Sequence, residues 1–273
     1  MNENWILKNK KMPNDNQFQS GYSDVNGLKM YYEIYGEGNP LVLIHGGGST
    51  LETSFGKIIP LLAMRRKIIG VELQAHGHTN DRDTALTFEQ DADDVATLLG
   101  NLKIPKGDFL GFSNGAHAVV ELALRHPRLI NKIILASGVY KRNATAPQFW
   151  DGFEGANLPD HLPPVLKEGY LKANNNPEGL QNMFDKDVER MKGFKGWEDD
   201  QLKAIKAPTL LMSGNKDIIN PEKAVEIYRL IPDCELAILP GGHGDYLGAI
   251  ETLRSDKWEH SYAAELIGQF LDK

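Results

Sequence analysis

Asp108-Phe109-Leu110-Gly111-Phe112-Ser113-Asn114-Gly115-Ala116-His117-Ala118-Val119-Val120 is the stretch on which the reading of this chain turns. A short apolar run leads into Gly-x-Ser-x-Gly at Gly111, Ser113 and Gly115, and an Ala/Val/Leu-rich run follows. Taken alone, the pentapeptide fits any glycine-rich loop that caps a helix. The strand-like residues before it and the helix-like 116–124 after it select a tighter reading, a strand–turn–helix elbow that pushes a serine oxygen out at the end of a sheet. Side chains two positions either side of the serine would collide, so glycine stands there. The turn also leaves the Asn114 N–H at a helix N-terminus, where negative charge is favoured.

Outward from the elbow, strands and helices alternate. Residues 22–25 and 28–35 flank Asn26-Gly27, a two-residue hairpin turn. The run 41–44 is apolar throughout, as in a strand buried on both faces, and ends in His45-Gly46-Gly47-Gly48. Phe55, Ile58, Ile59 and Leu62 give helical spacing over 54–64. A strand at 67–71 precedes a helix opened by a capping box at 87–90 and carried by Phe88, Ala92, Val95, Leu99 and Leu102. Strands at 132–136, 208–212 and 236–239 and helices at 221–231 and 258–271 complete the pattern. It predicts an α/β fold, with a mostly parallel sheet of about eight strands and helices on both faces. Between 140 and 204 the pattern lapses into scattered apolar residues with Pro and Gly. That stretch is expected to be a helical cap inserted at a strand's C-terminal end, over a core of 21–139 and 205–273, with 1–20 a loose leader.

The 273 residues are 41% hydrophobic and 25% charged, enough for one sizeable core, and the formal net charge is -7. An acidic balance without a Lys/Arg block argues against nucleic acid or an anionic membrane as partner. Neither an apolar signal core nor a membrane-length apolar run is found, so a cytoplasmic location is expected. The single cysteine, Cys234, excludes an internal disulfide and reads as a buried structural thiol entering a strand.

A serine becomes a nucleophile only beside a base that a third group orients. Asp217, in Ser213-Gly214-Asn215-Lys216-Asp217, and His243, in Pro240-Gly241-Gly242-His243, each follow a predicted strand. Alone, Asp217 would be a loop residue capping the next helix, and His243 a surface histidine. In the order Ser, Asp, His, at the same sheet edge as Ser113, they form a catalytic set. Asp245 is the reserve for the acid. The amides of Gly47 and Asn114 are expected to bind an oxyanion, with Gly48 the alternative to Gly47. Gly48, Trp150, Phe153, Phe184 and Trp197 are candidates for the substrate pocket, the aromatics fitting equally well a small core within the cap. His76 and His78 lack further ligands at metal-binding spacing.

His45-Gly46-Gly47-Gly48, Gly111-Phe112-Ser113-Asn114-Gly115, Gly214-Asn215-Lys216-Asp217, Pro240-Gly241-Gly242-His243 and the Gly-His segment at 72–79 resemble the α/β-hydrolase superfamily, of the capped esterase type. The likeness runs from about residue 22 to the C-terminus, the cap excepted; relatives often carry Met where Asn114 stands. The resemblance implies a serine hydrolase cleaving a small carboxylic ester through an acyl-enzyme, with no cofactor or metal and a small-molecule partner. A serine at the elbow argues against dehalogenase and epoxide-hydrolase chemistry, for which relatives use Asp. Carbon–carbon hydrolysis, lactone opening, perhydrolysis and acyl transfer use the same triad, and a low-turnover ligand receptor can retain the fold.

Overall fold

Period-two burial explains the sheet. In β3 (Pro40–Ile44), Leu41 and Leu43 face one apolar cluster while Val42 and Ile44 face another, all fully buried. The computed structural model describes residues 18–250 and 260–273. It opens with β1 (Gln19–Val25) and β2 (Leu28–Tyr35), an antiparallel hairpin turned at Asn26 and Gly27, both with positive φ. β1 starts earlier than the apolar pattern suggested because backbone pairing continues to Gln19 opposite Ile34.

After β3 come α1 (Leu51–Phe55) and α2 (Ile59–Leu62) where one helix was expected. Gly56 ends the first, and Pro60, which has no N–H to donate, is accommodated only at the start of the second. Phe55, Ile58, Ile59 and Leu62 are all buried nonetheless. β4 (Lys67–Val71) leads to α3 (Phe88–Asn101). Only half the expected capping box forms there. Thr87 accepts from the Gln90 N–H, but the Gln90 side chain turns to Asp94, and the reciprocal box lies instead at Thr50 and Thr53.

β5 (Gly107–Phe112), α4 (Asn114–Arg125) and β6 (Ile130–Ala136) follow. The chain then leaves the sheet through α5 (Pro147–Asp151), α6 (Leu158–His161), α7 (Pro164–Ala173), α8 (Pro177–Gly193) and α9 (Asp199–Lys203). It returns in β7 (Thr209–Gly214), α10 (Pro221–Leu230), β8 (Cys234–Leu239) and α11 (His260–Asp272). Trp258, expected at the start of the last helix, lies outside the described residues.

The eight strands lie in the order β1-β2-β4-β3-β5-β6-β7-β8. β2 is antiparallel to β4, and every pairing from β4 to β8 is parallel. All six parallel strands therefore end at one edge of the sheet. On one face the core contains α3, α4 and α10, on the other α1, α2 and α11. Leu162, Leu166, Leu180, Met183, Phe184 and Val188 of the inserted helices build a third, smaller core that includes Ala75 of the loop after β4. Cys234 departs from expectation: on an edge strand it is half-buried.

Candidate active site

Four loops leave the C-terminal edge of the sheet and bring together residues far apart in sequence. Ser113 follows β5 with φ 54° and ψ -120°, a conformation that non-glycine residues rarely adopt. The space around it explains the flanking glycines. A Cβ on Gly115 would stand 2.6 Å from the His45 carbonyl oxygen, and one on Gly111 would stand 2.6 Å from Ala116 Cα. Asp217 follows β7 and His243 follows β8, between Gly241 and Gly244, both with positive φ.

His243 Nε2 lies 3.0 Å from Ser113 Oγ, and His243 Nδ1 lies 2.7 Å from Asp217 Oδ1. Because the carboxylate can only accept, Nδ1 carries the proton and Nε2 faces the serine hydroxyl as an acceptor. Asp217 receives four further hydrogen bonds, from the Ile218 N–H (2.7 Å), Ser137 Oγ (2.5 Å), the Gly214 N–H (3.2 Å) and, at the longest reach, Ser213 Oγ (3.5 Å). Burial works against its charge, but the bonds from His243, Ser137 and Gly214 outweigh that and hold the carboxyl below its ordinary range. Ser137, which follows β6 with φ 53°, is itself 2.8 Å from Tyr246 Oη. Asp245, the reserve acid, turns away and accepts from the Gly242 N–H at 2.6 Å.

In the glycine loop after β3, the Gly46 N–H donates to Ser54 Oγ (3.3 Å), the Gly48 N–H to Asp187 Oδ2 (2.6 Å) and the Ser49 N–H to the Gly46 carbonyl (3.4 Å). Among the described residues, the Gly47 and Asn114 amides have no acceptor. The two segments touch: a Cβ on Gly46 would lie 3.3 Å from Ser113 Cβ, and one on Gly47 would strike the Asn114 side-chain amide. A serine oxygen, an imidazole that accepts from it, a buried carboxylate behind the imidazole and two open amides in front suit attack on a carbonyl.

Comparison with known proteins identifies the family. Residues 39–168 match the family described as the alpha/beta hydrolase fold. Over 222 residues the chain is 30% identical to an uncharacterised hydrolase, YugF, of Bacillus subtilis strain 168, across 72% of this chain and 80% of the relative. This chain belongs to the α/β-hydrolase superfamily. Its fold is shared by a serine hydrolase involved in carbazole degradation, the CarC enzyme, with TM-score 0.76 and 19% identity over 94% of this chain and 99% of that one. It is shared too by the enol-lactonase of Burkholderia xenovorans LB400, with TM-score 0.71 and 21% identity over 93% of this chain and all of the other.

A cavity of about 400 Å³ opens over Ser113 and His243 in this hydrolase fold. Gly47, Gly48, Phe153 and Phe184 line it, together with Phe149 and Leu162. Trp150 and Trp197 do not. Their indole N–H groups are committed elsewhere, Trp150 to the Arg142 carbonyl at 2.8 Å and Trp197 to Glu121 at 2.6 Å, which turns both rings into the core shared with α3 and α4. His117 stacks on Phe194 and accepts from the Val139 N–H at 3.0 Å, and burial pushes it down to about 3, so it is neutral. His78 pairs with Glu72 at 2.9 Å.

His76 and Asp187 form a buried polar cluster that the sequence did not disclose. His76 Nδ1 meets the Gln74 carbonyl at 2.8 Å and its Nε2 meets Asp187 Oδ2 at 2.9 Å. Both partners can only accept, so the ring carries two protons and a positive charge. Asp187 also pairs with Arg190, whose other arm reaches Asp91 at 2.7 Å. Burial alone would raise Asp187, but Arg190 and His76 hold it far below the carboxylate range; burial would lower His76, and Asp187 raises it.

Both shifts fix how stability follows pH. A depressed carboxyl contributes above its unfolded pKa of about 3.9 and loses that contribution as pH falls. A raised imidazole contributes below its unfolded pKa of about 6.5 and loses that contribution as pH rises through the folded value. Thermal denaturation of Asp187→Asn is therefore expected to fall furthest below wild type between about pH 4 and 6.5, with the gap narrowing on either side. A gap independent of pH would mean that the pair carries no net charge stabilisation.

Proposed function

We propose that this chain is a serine hydrolase that cleaves small carboxylic esters through an acyl-enzyme. The observation that carries this reading is the continuous relay Asp217–His243–Ser113 facing two amides without acceptors. Ser113 Oγ attacks the ester carbonyl as His243 Nε2 takes its proton. Charge then develops on the carbonyl oxygen between the Gly47 and Asn114 N–H groups, where one such donor contributes about 3 kcal/mol. The imidazolium, steadied by Asp217, gives its proton to the departing alkoxide. Water repeats the sequence with His243 again as base, releasing the acid and restoring the serine.

Residues 140–204 serve as a lid in this reading. Phe149, Phe153, Leu162 and Phe184 give the pocket an apolar wall, and a cavity of about 400 Å³ suits a short or branched acyl group. Steady-state turnover of p-nitrophenyl acetate and butyrate, together with stoichiometric labelling by a fluorophosphonate, tests the reading. Labelling without turnover would favour a ligand receptor on this fold, and neither would remove Ser113 from the role of nucleophile.

A further inference from the structure

We propose that Asp187, carried by α8 of the inserted helices, is a positioning residue for the oxyanion loop: its carboxylate fixes the Gly48 amide and thereby aims the neighbouring Gly47 N–H. The inference rests on the reading of Gly47 and Asn114 as oxyanion donors.

Three consecutive glycines are the most permissive backbone a loop can have, so the direction of each N–H must be imposed from outside. Gly46 is held by Ser54 of the sheet domain at 3.3 Å. Gly48, with φ +64°, is held at 2.6 Å by a carboxylate 139 residues further along the chain. Only the Gly47 Cα separates the peptide plane of that bond from the plane that carries the Gly47 N–H. Fixing one plane narrows the directions open to the other. The contact is close on both sides of that pivot, since a Cβ on Gly47 would lie 3.3 Å from Asp187 Oδ2 as well as striking the Asn114 amide.

A bare carboxylate this near a developing oxyanion would oppose it. Here the Asp187 charge is matched by the His76 ring at 2.9 Å and by the Arg190 guanidinium. Arg190 in turn reaches Asp91 of α3, at 2.7 Å, so the clamp is braced against the body of the fold as well as against the insertion. The insertion thus supplies part of the catalytic geometry besides roofing the cavity. Movement of α8 away from the glycine loop would release the Gly48 amide and disarm the hole.

The test compares full-length wild type, Asp187→Ala and Asp187→Asn on p-nitrophenyl acetate and with a short-chain trifluoromethyl ketone, which adds to the serine as a tetrahedral alkoxide. Misaiming one donor is expected to lower kcat of Asp187→Ala about tenfold to a hundredfold with KM within about threefold of wild type. The inhibition constant of the ketone should rise by the factor by which kcat/KM falls. Asp187→Asn retains an oxygen for the Gly48 amide and should recover most of that loss. A kcat for Asp187→Ala within threefold of wild type overturns the proposal. So does a rise in KM that accounts for the whole loss, or an Asp187→Asn no better than alanine. If Asp187→Ala does not fold, the amide proton of Gly48 carries the test. A neutral amide oxygen is the weaker acceptor, so the proton should move upfield in Asp187→Asn with kcat lowered by no more than about threefold; an unmoved proton, or a kcat lowered tenfold or more, overturns the proposal. A wild type that neither turns over nor labels defeats the esterase reading itself, whereas an active wild type matched by Asp187→Ala defeats only this clamp.

Discussion

Ser113→Ala is expected to lower kcat on a p-nitrophenyl ester by about a millionfold, the scale set by removal of the nucleophile from a serine–histidine–aspartate unit. The residual rate would come from the Gly47 and Asn114 amides and from binding alone. Folding should survive, because among the described residues the hydroxyl bonds to His243 alone and the alanine Cβ occupies the space the serine Cβ already fills. The positive φ at this position is no worse for alanine than for serine, so Tm should stay within about 2 °C of wild type. Stopped assays with enough enzyme to detect a millionfold loss, alongside thermal denaturation, make the measurement. A loss under a hundredfold would assign the chemistry to another nucleophile. Cys234 is a poor replacement, since it lies at the N-terminal end of β8, across the sheet from the glycine loop, and burial pushes its thiol up to about 12.

How far the sequence could lead depended on where each contact is encoded. Strand ends are marked by local pattern, so the positions of Ser113, Asp217, His243 and the glycine loop could be read from apolar runs giving way to Gly-rich turns. Parallel pairing then carries all of them to one edge whatever the details of the helices. The Asp187 clamp has no such mark. Asp185-Lys186-Asp187-Val188-Glu189-Arg190 reads as a solvated helix face, and nothing along the chain announces a partner at Gly48. Ser137 likewise looks like an ordinary turn residue after β6, although its hydroxyl is one of the donors that hold Asp217. In the insertion, apolar residues without a clear period cannot be apportioned between cavity wall and core. Phe153 and Phe184 reached the cavity wall, Phe184 while also packing in the smaller core, and Trp150 and Trp197 went to the main core, where their indole N–H groups found acceptors.

Asp217→Asn is expected to lower kcat about a thousandfold to ten-thousandfold, and the reason lies in how the carboxylate is shared. Each of its oxygens takes one backbone donor, Oδ1 from Ile218 at 2.7 Å and Oδ2 from Gly214 at 3.2 Å. An amide has one oxygen, so one of those N–H groups must face an NH2. With the NH2 at the Oδ1 site, the amide donates to His243 Nδ1, the ring proton moves to Nε2, and Ser113 meets a donor where it needs a base. With the NH2 at the Oδ2 site, the Ser137 hydroxyl can turn to accept and the Gly214 contact is the longer of the two, so the ring keeps its tautomer. The imidazolium then forms without an anion beside it. In that second arrangement the acid limb of kcat/KM should also move to lower pH, because the protonated ring has lost the charge that favoured it. A large loss with an unmoved acid limb would mean that tautomer control dominates; a loss under tenfold would mean that Asp217 does not orient the base, and Asp245, bonded to the Gly242 amide, would have to be released from that bond to take its place.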